Sequence, residues 1–158
     1  MRVFFTMSKL FVATEFPPDA PGGGPAVVRQ MLQGFPGEVH WWSCRGSVLG
    51  SSFMVPRGTS HQSIRNSGAS FQVSSFHCCP PGKLMPAKKL PHLRAFLMEH
   101  LWAPQAARSL RETIARINPD SLWLIPHDWS IIPLWRVMGS HVSSDESQGV
   151  RWHVSMHD

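Results

Sequence analysis

Two runs with no polar residue in them limit what this chain can fold into. Leu10, Phe11, Val12 and Ala13 form one; Leu122, Trp123, Leu124 and Ile125 form the other. A strand with one face in water alternates apolar and polar residues, whereas a short unbroken apolar run suits a strand buried on both faces. Strands of that kind belong to parallel sheets covered by helices on each side. Segments of helical periodicity separate the strand candidates. The expected class is therefore α/β: a Rossmann-like, mostly parallel sheet flanked by helices.

Along the chain the order is regular. After the first run comes Phe16-Pro17-Pro18-Asp19-Ala20-Pro21-Gly22-Gly23-Gly24-Pro25, a loop on composition. A helix follows with Pro25 at its first position and Val27, Val28, Met31 and Leu32 on one face; Pro36-Gly37 stops it. Residues 38–44 read as a second strand. From 45 to about 90 Ser, Gly and Pro dominate, an irregular excursion with one strand candidate at 70–76. Leu93, Phe96, Leu97, Leu101, Ala107, Leu110, Ile114 and Ile117 then recur at helical spacing, and Pro104 either kinks that helix or opens a second one. Asn118-Pro119 ends it. Residues 121–125 form the next strand, 129–138 a short helix, 139–149 a polar loop and 150–156 a last strand. The sheet is expected to be incomplete at its C-terminal end, with residues 1–8 an uncertain extension and 9–158 a single lobe.

Composition narrows the partners. The chain has 158 residues, 42% hydrophobic and 16% charged, which excludes a disordered tail or a coiled coil. A net charge of +5 favours anionic partners such as nucleotides, phosphorylated sugars, acidic membrane surfaces or nucleic acid. Three cysteines, two of them adjacent, make no disulfide framework and fit a reducing setting. No apolar run reaches the length of a membrane span or a signal h-region. A cytoplasmic protein is expected, with contact to an acidic membrane as a secondary possibility.

Few residues could carry chemistry. Gly22, Gly23 and Gly24 lie between a buried strand and a helix, where the backbone can approach a ligand and the helix N–H groups attract anions. No Gly-Lys-Ser/Thr ending follows, so this is not a P-loop. His157 and Asp158 come directly after the last strand, where a histidine can meet a sugar or take a proton. His127 and Asp128 follow the preceding strand on the same edge; Asp128 reads first as an N-cap of the helix behind it. His77-Cys78-Cys79 groups three metal-type ligands, but neighbouring side chains converge poorly on one ion, so no metal is expected. Lys83, Lys88, Lys89 and Arg94 read as solvated charge.

In order and spacing these residues resemble the N-terminal domain of family-four retaining glycosyltransferases, enzymes of two facing Rossmann-like lobes. The resemblance is carried by Lys9-Leu10-Phe11-Val12, then Glu15-Phe16-Pro17-Pro18 and Gly22-Gly23-Gly24, then residues 114–120 leading into Leu122-Trp123-Leu124-Ile125, and last Val154-Ser155-Met156-His157-Asp158. It implies transfer of a sugar from a nucleotide-sugar co-substrate, with no other cofactor, to a glycan, lipid or small-molecule acceptor. It implies Gly22, Gly23 and Gly24 against the donor diphosphate, His157 and Asp158 as catalytic residues at the cleft, and His127 and Asp128 on the acceptor side. The second lobe of that family supplies a nucleotide pocket and a glutamate pair, and nothing in this sequence matches the pair. This chain alone is accordingly expected to be inactive and to have a second-lobe chain as a partner. The alternatives are a non-catalytic interaction domain and a basic α/β domain for nucleic acid. The nucleic-acid version requires exposed aromatics among cations, whereas the seven tryptophans fall mainly in predicted core elements.

Overall fold

A computed structural model describes residues 8–46, 73–81, 90–142 and 150–155, with the backbone alone at 140–142. Strands β1 (Lys9–Thr14), β2 (Glu38–Ser43), β3 (Ser75–Cys78), β4 (Ser121–Ile125) and β5 (Arg151–Val154) form one sheet in the order β3-β2-β1-β4-β5. Every pair is parallel. Leu10 to Thr14 pairs residue by residue with Ser121 to Ile125. The two apolar runs are thus adjacent strands at the middle of the sheet, the position their lack of alternation requires.

Side chains of β1 divide by parity. Leu10 and Val12 join Val28, Leu32, Val39, Trp41, Val73, Trp123 and Ile125 on one face, beneath helix α1 (Gly23–Met31). Phe11 and Ala13 join Trp42, Met98, Trp102, Leu110, Leu122, Leu124, Leu134 and Val137 on the other. That second face is covered by α3 (Ala103–Ile117) and α4 (Ile131–Val142). Burying both faces of a strand removes every one of its side chains from water, at about 25 cal/mol per Å² of apolar surface.

Several sequence expectations are displaced. Helix α1 begins at Gly23 rather than Pro25. Pro25 still sits in the first turn, where its missing N–H is one of the donors a helix leaves unpaired anyway. Val27 and Met31, expected on the inner face, are exposed. The third strand lies at Ser75–Cys78 rather than 70–76, of which 70–72 fall outside the described residues.

The largest displacement concerns the long helix. It runs as α2 (Pro91–Leu97), a π-helical turn (Met98–Trp102) and α3. Pro104 cannot donate to the carbonyl one turn back, and its ring crowds that carbonyl. The helix accommodates it by widening: the Ala103 N–H donates to the Met98 oxygen, five residues earlier. One extra residue per turn shifts the phase of everything before it. Leu93, Phe96 and Leu101, expected inside, are exposed, and Met98 and Trp102 reach the core instead.

Candidate functional site at the carboxyl edge

The chain moves from β1 outward through β2 to β3, then crosses back and pairs β4 on the other side of β1. The strand order therefore reverses between β1 and β4. Connections leave in opposite directions there and open a crevice outside the carboxyl ends of the strands, which is where open parallel sheets bind ligands. Glu15 follows β1, Arg45 lies just beyond β2, and His127 follows β4.

Those three side chains meet. The Glu15 carboxylate is 3% exposed; one oxygen accepts from the Arg45 guanidinium, and the other lies 3.0 Å from His127 Nδ1. Arg45 and His127 are themselves 63% and 58% exposed. The buried member is the anion, and its partners reach in from solvent. A carboxylate withdrawn from water is tolerable only when paired and hydrogen-bonded in this way.

His127 is fixed at its backbone as well. The Ser130 hydroxyl, wholly buried, accepts from the His127 N–H at 2.8 Å and donates to the His127 carbonyl at 2.7 Å. Asp128 opens the 3-10 turn (Asp128–Ser130) with φ at 44°, an uncommon conformation for a residue with a side chain. The N-cap position falls on His127, one residue earlier, where Ser130 takes the backbone N–H. The N-cap expectation for Asp128 is thus corrected: Ser130 satisfies the local backbone, and Asp128 turns outward, exposed. A left-handed residue beside a doubly held histidine marks local strain kept in place by its surroundings.

The loop after β1 is a packed structure rather than a slack connection. Glu15, Pro17, Pro18 and Ala20 are buried. Arg29, from α1, donates to the carbonyls of Pro18 and Ala20 at 2.9 and 2.8 Å, and Trp41 Nε1 donates to the Phe16 carbonyl at 3.0 Å. Only beyond Ala20 does the chain emerge: Pro21, Gly22, Gly23 and Gly24 are exposed. Gly22 has φ 109° and ψ 172°, a conformation essentially restricted to glycine. No atom lies within 4 Å of where a Cβ would stand on Gly22 or Gly23, while Gly24 faces the Phe16 ring at 3.7 Å. The bend is open to a ligand, at the start of a helix.

A recess of about 200 Å³ lies at this edge, lined by Glu15, Cys44, Arg45, Pro81, Arg94, Met98, Trp102 and Trp129. The Arg94 guanidinium stands 5.7 Å from the centre of the Trp129 ring, a cation–π geometry. Its Nε is buried without a hydrogen bond. Burial pushes the Cys44 thiol well above its ordinary range, with the Glu15 and Cys79 charges adding to the effect and Arg45 opposing it. Cys78 and Cys79 are raised mainly by burial. All three thiols are free and stay protonated near neutrality, so none is a ready nucleophile or metal ligand.

Of the residues picked out from the sequence, the structure brings His127 and the Gly22–Gly24 bend to one edge, and β5 ends on that edge too. His157 and Asp158 lie outside the described residues. In the sequence Glu15 stands only as a carrier of the resemblance, and neither Glu15 nor Arg45 has an expected site role. Their signal was available: a lone carboxylate directly after an unbroken apolar strand stands at the carboxyl edge of any parallel sheet. Among the described residues no helix is long and apolar enough to cross a membrane, and no group of three or more His, Cys, Asp or Glu side chains could hold a metal. No protein-family model, curated protein or solved structure matches the chain.

Proposed function

We propose that this chain is the acceptor-side lobe of a nucleotide-sugar glycosyltransferase. The observation that carries the reading is one juxtaposition at the strand-order reversal: an open glycine bend at the start of α1 and a histidine clamped by Glu15 share the carboxyl edge of one parallel sheet. The backbone N–H groups at the bend would stabilise charge on the departing diphosphate. His127 would meet the sugars from the acceptor side, and His157 and Asp158, after β5, would complete the rim. Free thiols at Cys44, Cys78 and Cys79 fit a cytoplasmic setting.

Sugar transfer requires both reactants to be held in line, and a single lobe supplies one wall of such a cleft. The chain by itself is expected to bind nucleotide sugars weakly and to transfer nothing. The test is an NMR titration of the full ¹⁵N-labelled chain with UDP-glucose, GDP-mannose and ADP-glucose. Shifts confined to the amides of Gly22, Gly23 and Gly24 and to His127 support the reading. No shift at the bend with any of the three, at millimolar concentration, overturns it. Turnover by the isolated chain would overturn the need for a second lobe.

The nucleic-acid alternative gains little from the geometry. Of the seven tryptophans, Trp41, Trp42, Trp102 and Trp123 are buried, Trp129 and Trp152 are half-buried, and Trp135 is exposed. One exposed tryptophan is not a stacking platform.

A further inference from the structure

Resting on that reading, we infer that the recess at the carboxyl edge is a subsite for the anionic group of a small hydroxylated ligand, with Arg94 as its binding cation; the acceptor is then a sugar or polyol carrying a phosphate or a carboxylate.

The charges of the recess point to an anion. Its lining holds one carboxylate, Glu15, and two guanidinium groups, Arg45 and Arg94. Arg45 and Glu15 satisfy each other. The Cys44 thiol stays neutral, since burial and the nearby carboxylate both oppose its ionisation. One positive charge is left over, and it is Arg94. Among the described residues no carboxylate pairs with it; its contact is the Trp129 ring. Guanidinium groups present a planar fork of donors that matches phosphate and carboxylate oxygens. A guanidinium already held near an aromatic ring loses less freedom on binding, so the cation–π contact with Trp129 at 5.7 Å prepares Arg94 to receive an anion.

Size and surroundings define the rest of the ligand. At about 200 Å³ the recess is below the roughly 300–1,000 Å³ typical of drug-sized sites, so it admits a phosphate with one small ring rather than a nucleotide. Trp102, Trp129 and Met98 supply apolar surface of the kind that packs against a sugar ring. Trp102 is held in place by its own Nε1, which donates to the Cys79 carbonyl at 3.0 Å. The hydroxyl partner in this proposal is His127, which stands outside the lining and is tied to it through the Glu15 carboxylate. Its Nδ1 lies 3.0 Å from the Glu15 carboxylate, which leaves Nε2 to meet a ligand hydroxyl. The Ser130 contacts fix the backbone from which that ring projects.

Calorimetric titration of the full chain with inorganic phosphate, with acetate and with glucose 6-phosphate tests this. Phosphate and acetate separate the two sources of the anionic group, and the sugar phosphate adds the hydroxyls. Glucose 6-phosphate should bind most tightly. R94Q should weaken phosphate and glucose 6-phosphate by about tenfold or more, as expected for loss of a charged hydrogen-bond donor. R94K, which keeps the charge and loses the fork, should fall between. H127N should weaken glucose 6-phosphate and leave phosphate unchanged. R108Q removes the same charge from an exposed site on α3 and should change neither. Equal losses in R94Q and R108Q would mean diffuse attraction by net charge and would overturn the subsite, as would no binding of any of the three probes to the unaltered chain.

The outcomes separate from those of the nucleotide-sugar titration. Nucleotide sugars binding at the glycine bend with no phosphate in the recess would leave the lobe reading intact and make the acceptor neutral. Phosphate held by Arg94 with no nucleotide sugar at the bend would keep the subsite and remove the glycosyltransferase.

Discussion

Of two recesses lined by described residues of this sheet, the larger is the less chemical. One of about 420 Å³ lies on the α1 face, lined by Leu10, Met31, Leu32, Phe35, Trp123 and residues of β5. The other, half that volume, lies at the carboxyl edge around a buried glutamate. Beside the first, at the amino edge, the polar groups are used up holding strands together. The Lys9 N–H donates to the Asp120 carboxylate, the Asp120 N–H to the Lys9 carbonyl, the Glu38 N–H to the Ser8 carbonyl and the Arg151 N–H to the Asp120 carbonyl. At the carboxyl edge charge has been carried inward and left facing a cavity. Volume shows where a ligand could fit; buried, paired charge shows where the fold has sacrificed stability to keep a group in place.

The sharpest test of this contrast is to remove an arginine from each recess. R45M leaves the Glu15 carboxylate buried with one partner, and a loss of about 2–3 kcal/mol in unfolding free energy is expected. R151M, at the exposed rim of the larger recess, should stay within about 0.5 kcal/mol. Urea unfolding of both variants measures the difference, and equal losses would remove the distinction between the two sites. The glycine bend comes next. G22A forces a side chain onto φ 109° and should cost about 1–2 kcal/mol. G23A, with ordinary φ and open space around it, should be neutral or slightly stabilising. A cost in both would mean the bend is tightly packed.

A third test uses acid. His77, half-buried on β3 beside the Arg116 guanidinium, has its pKa lowered from 6.5 to about 4 by burial first, then by the Arg116 and His40 charges. The folded chain therefore keeps His77 neutral while the unfolded chain binds a proton below pH 6.5. Unfolded molecules hold more protons between those two values, so stability is full above pH 6.5 and declines as pH falls toward 4. Because His77 is only half-buried, the effect is expected at about 1 kcal/mol after solvent screening. H77N should flatten the stability–pH curve across that window; an unchanged slope would place the acid sensitivity elsewhere.

The centre of the fold was legible because its signals are local. Unbroken apolar runs fixed β1 and β4, and Asn118 before Pro119 fixed the end of α3, where Asn118 takes a left-handed C-cap with its N–H on the Ile114 carbonyl. Helix phase before Pro104 was not legible. Leu93, Phe96 and Leu101 fit a 3.6-residue period with Leu110, and only the π-turn takes them out of register. The site was legible by half. Glycines and the histidine after β4 announce themselves by position, and the strand order that makes them neighbours follows from the crossover. Arg45 and Arg94 could not be found that way. Arg45 pairs with Glu15 across 30 residues, and Arg94 meets Trp129 across 35, contacts that depend on tertiary packing alone.

The smallest expected effect concerns the outer helical layer, which repeats the contrast on a lesser scale. Helix α4 packs Leu134 and Val137 fully into the core yet exposes Trp135 at 70%, and α2 exposes Leu93 and Phe96. Phe96 meets His100 with ring centres 4.5 Å apart and planes tilted by 46°, a contact between neighbours on one helical stretch. W135Q should therefore change unfolding free energy by less than about 0.5 kcal/mol. It should also remove the iodide-accessible component of tryptophan fluorescence, because four of the other six tryptophans are buried and two half-buried. Sedimentation velocity then gives the surface a meaning. If W135Q and F96Q lower self-association, the exposed apolar residues act as ordinary sticky surface. A salt-dependent affinity for single-stranded DNA that disappears in W135Q would instead turn this helix into a binding element, and the weight of the molecule's function would move from the carboxyl edge to its outer layer.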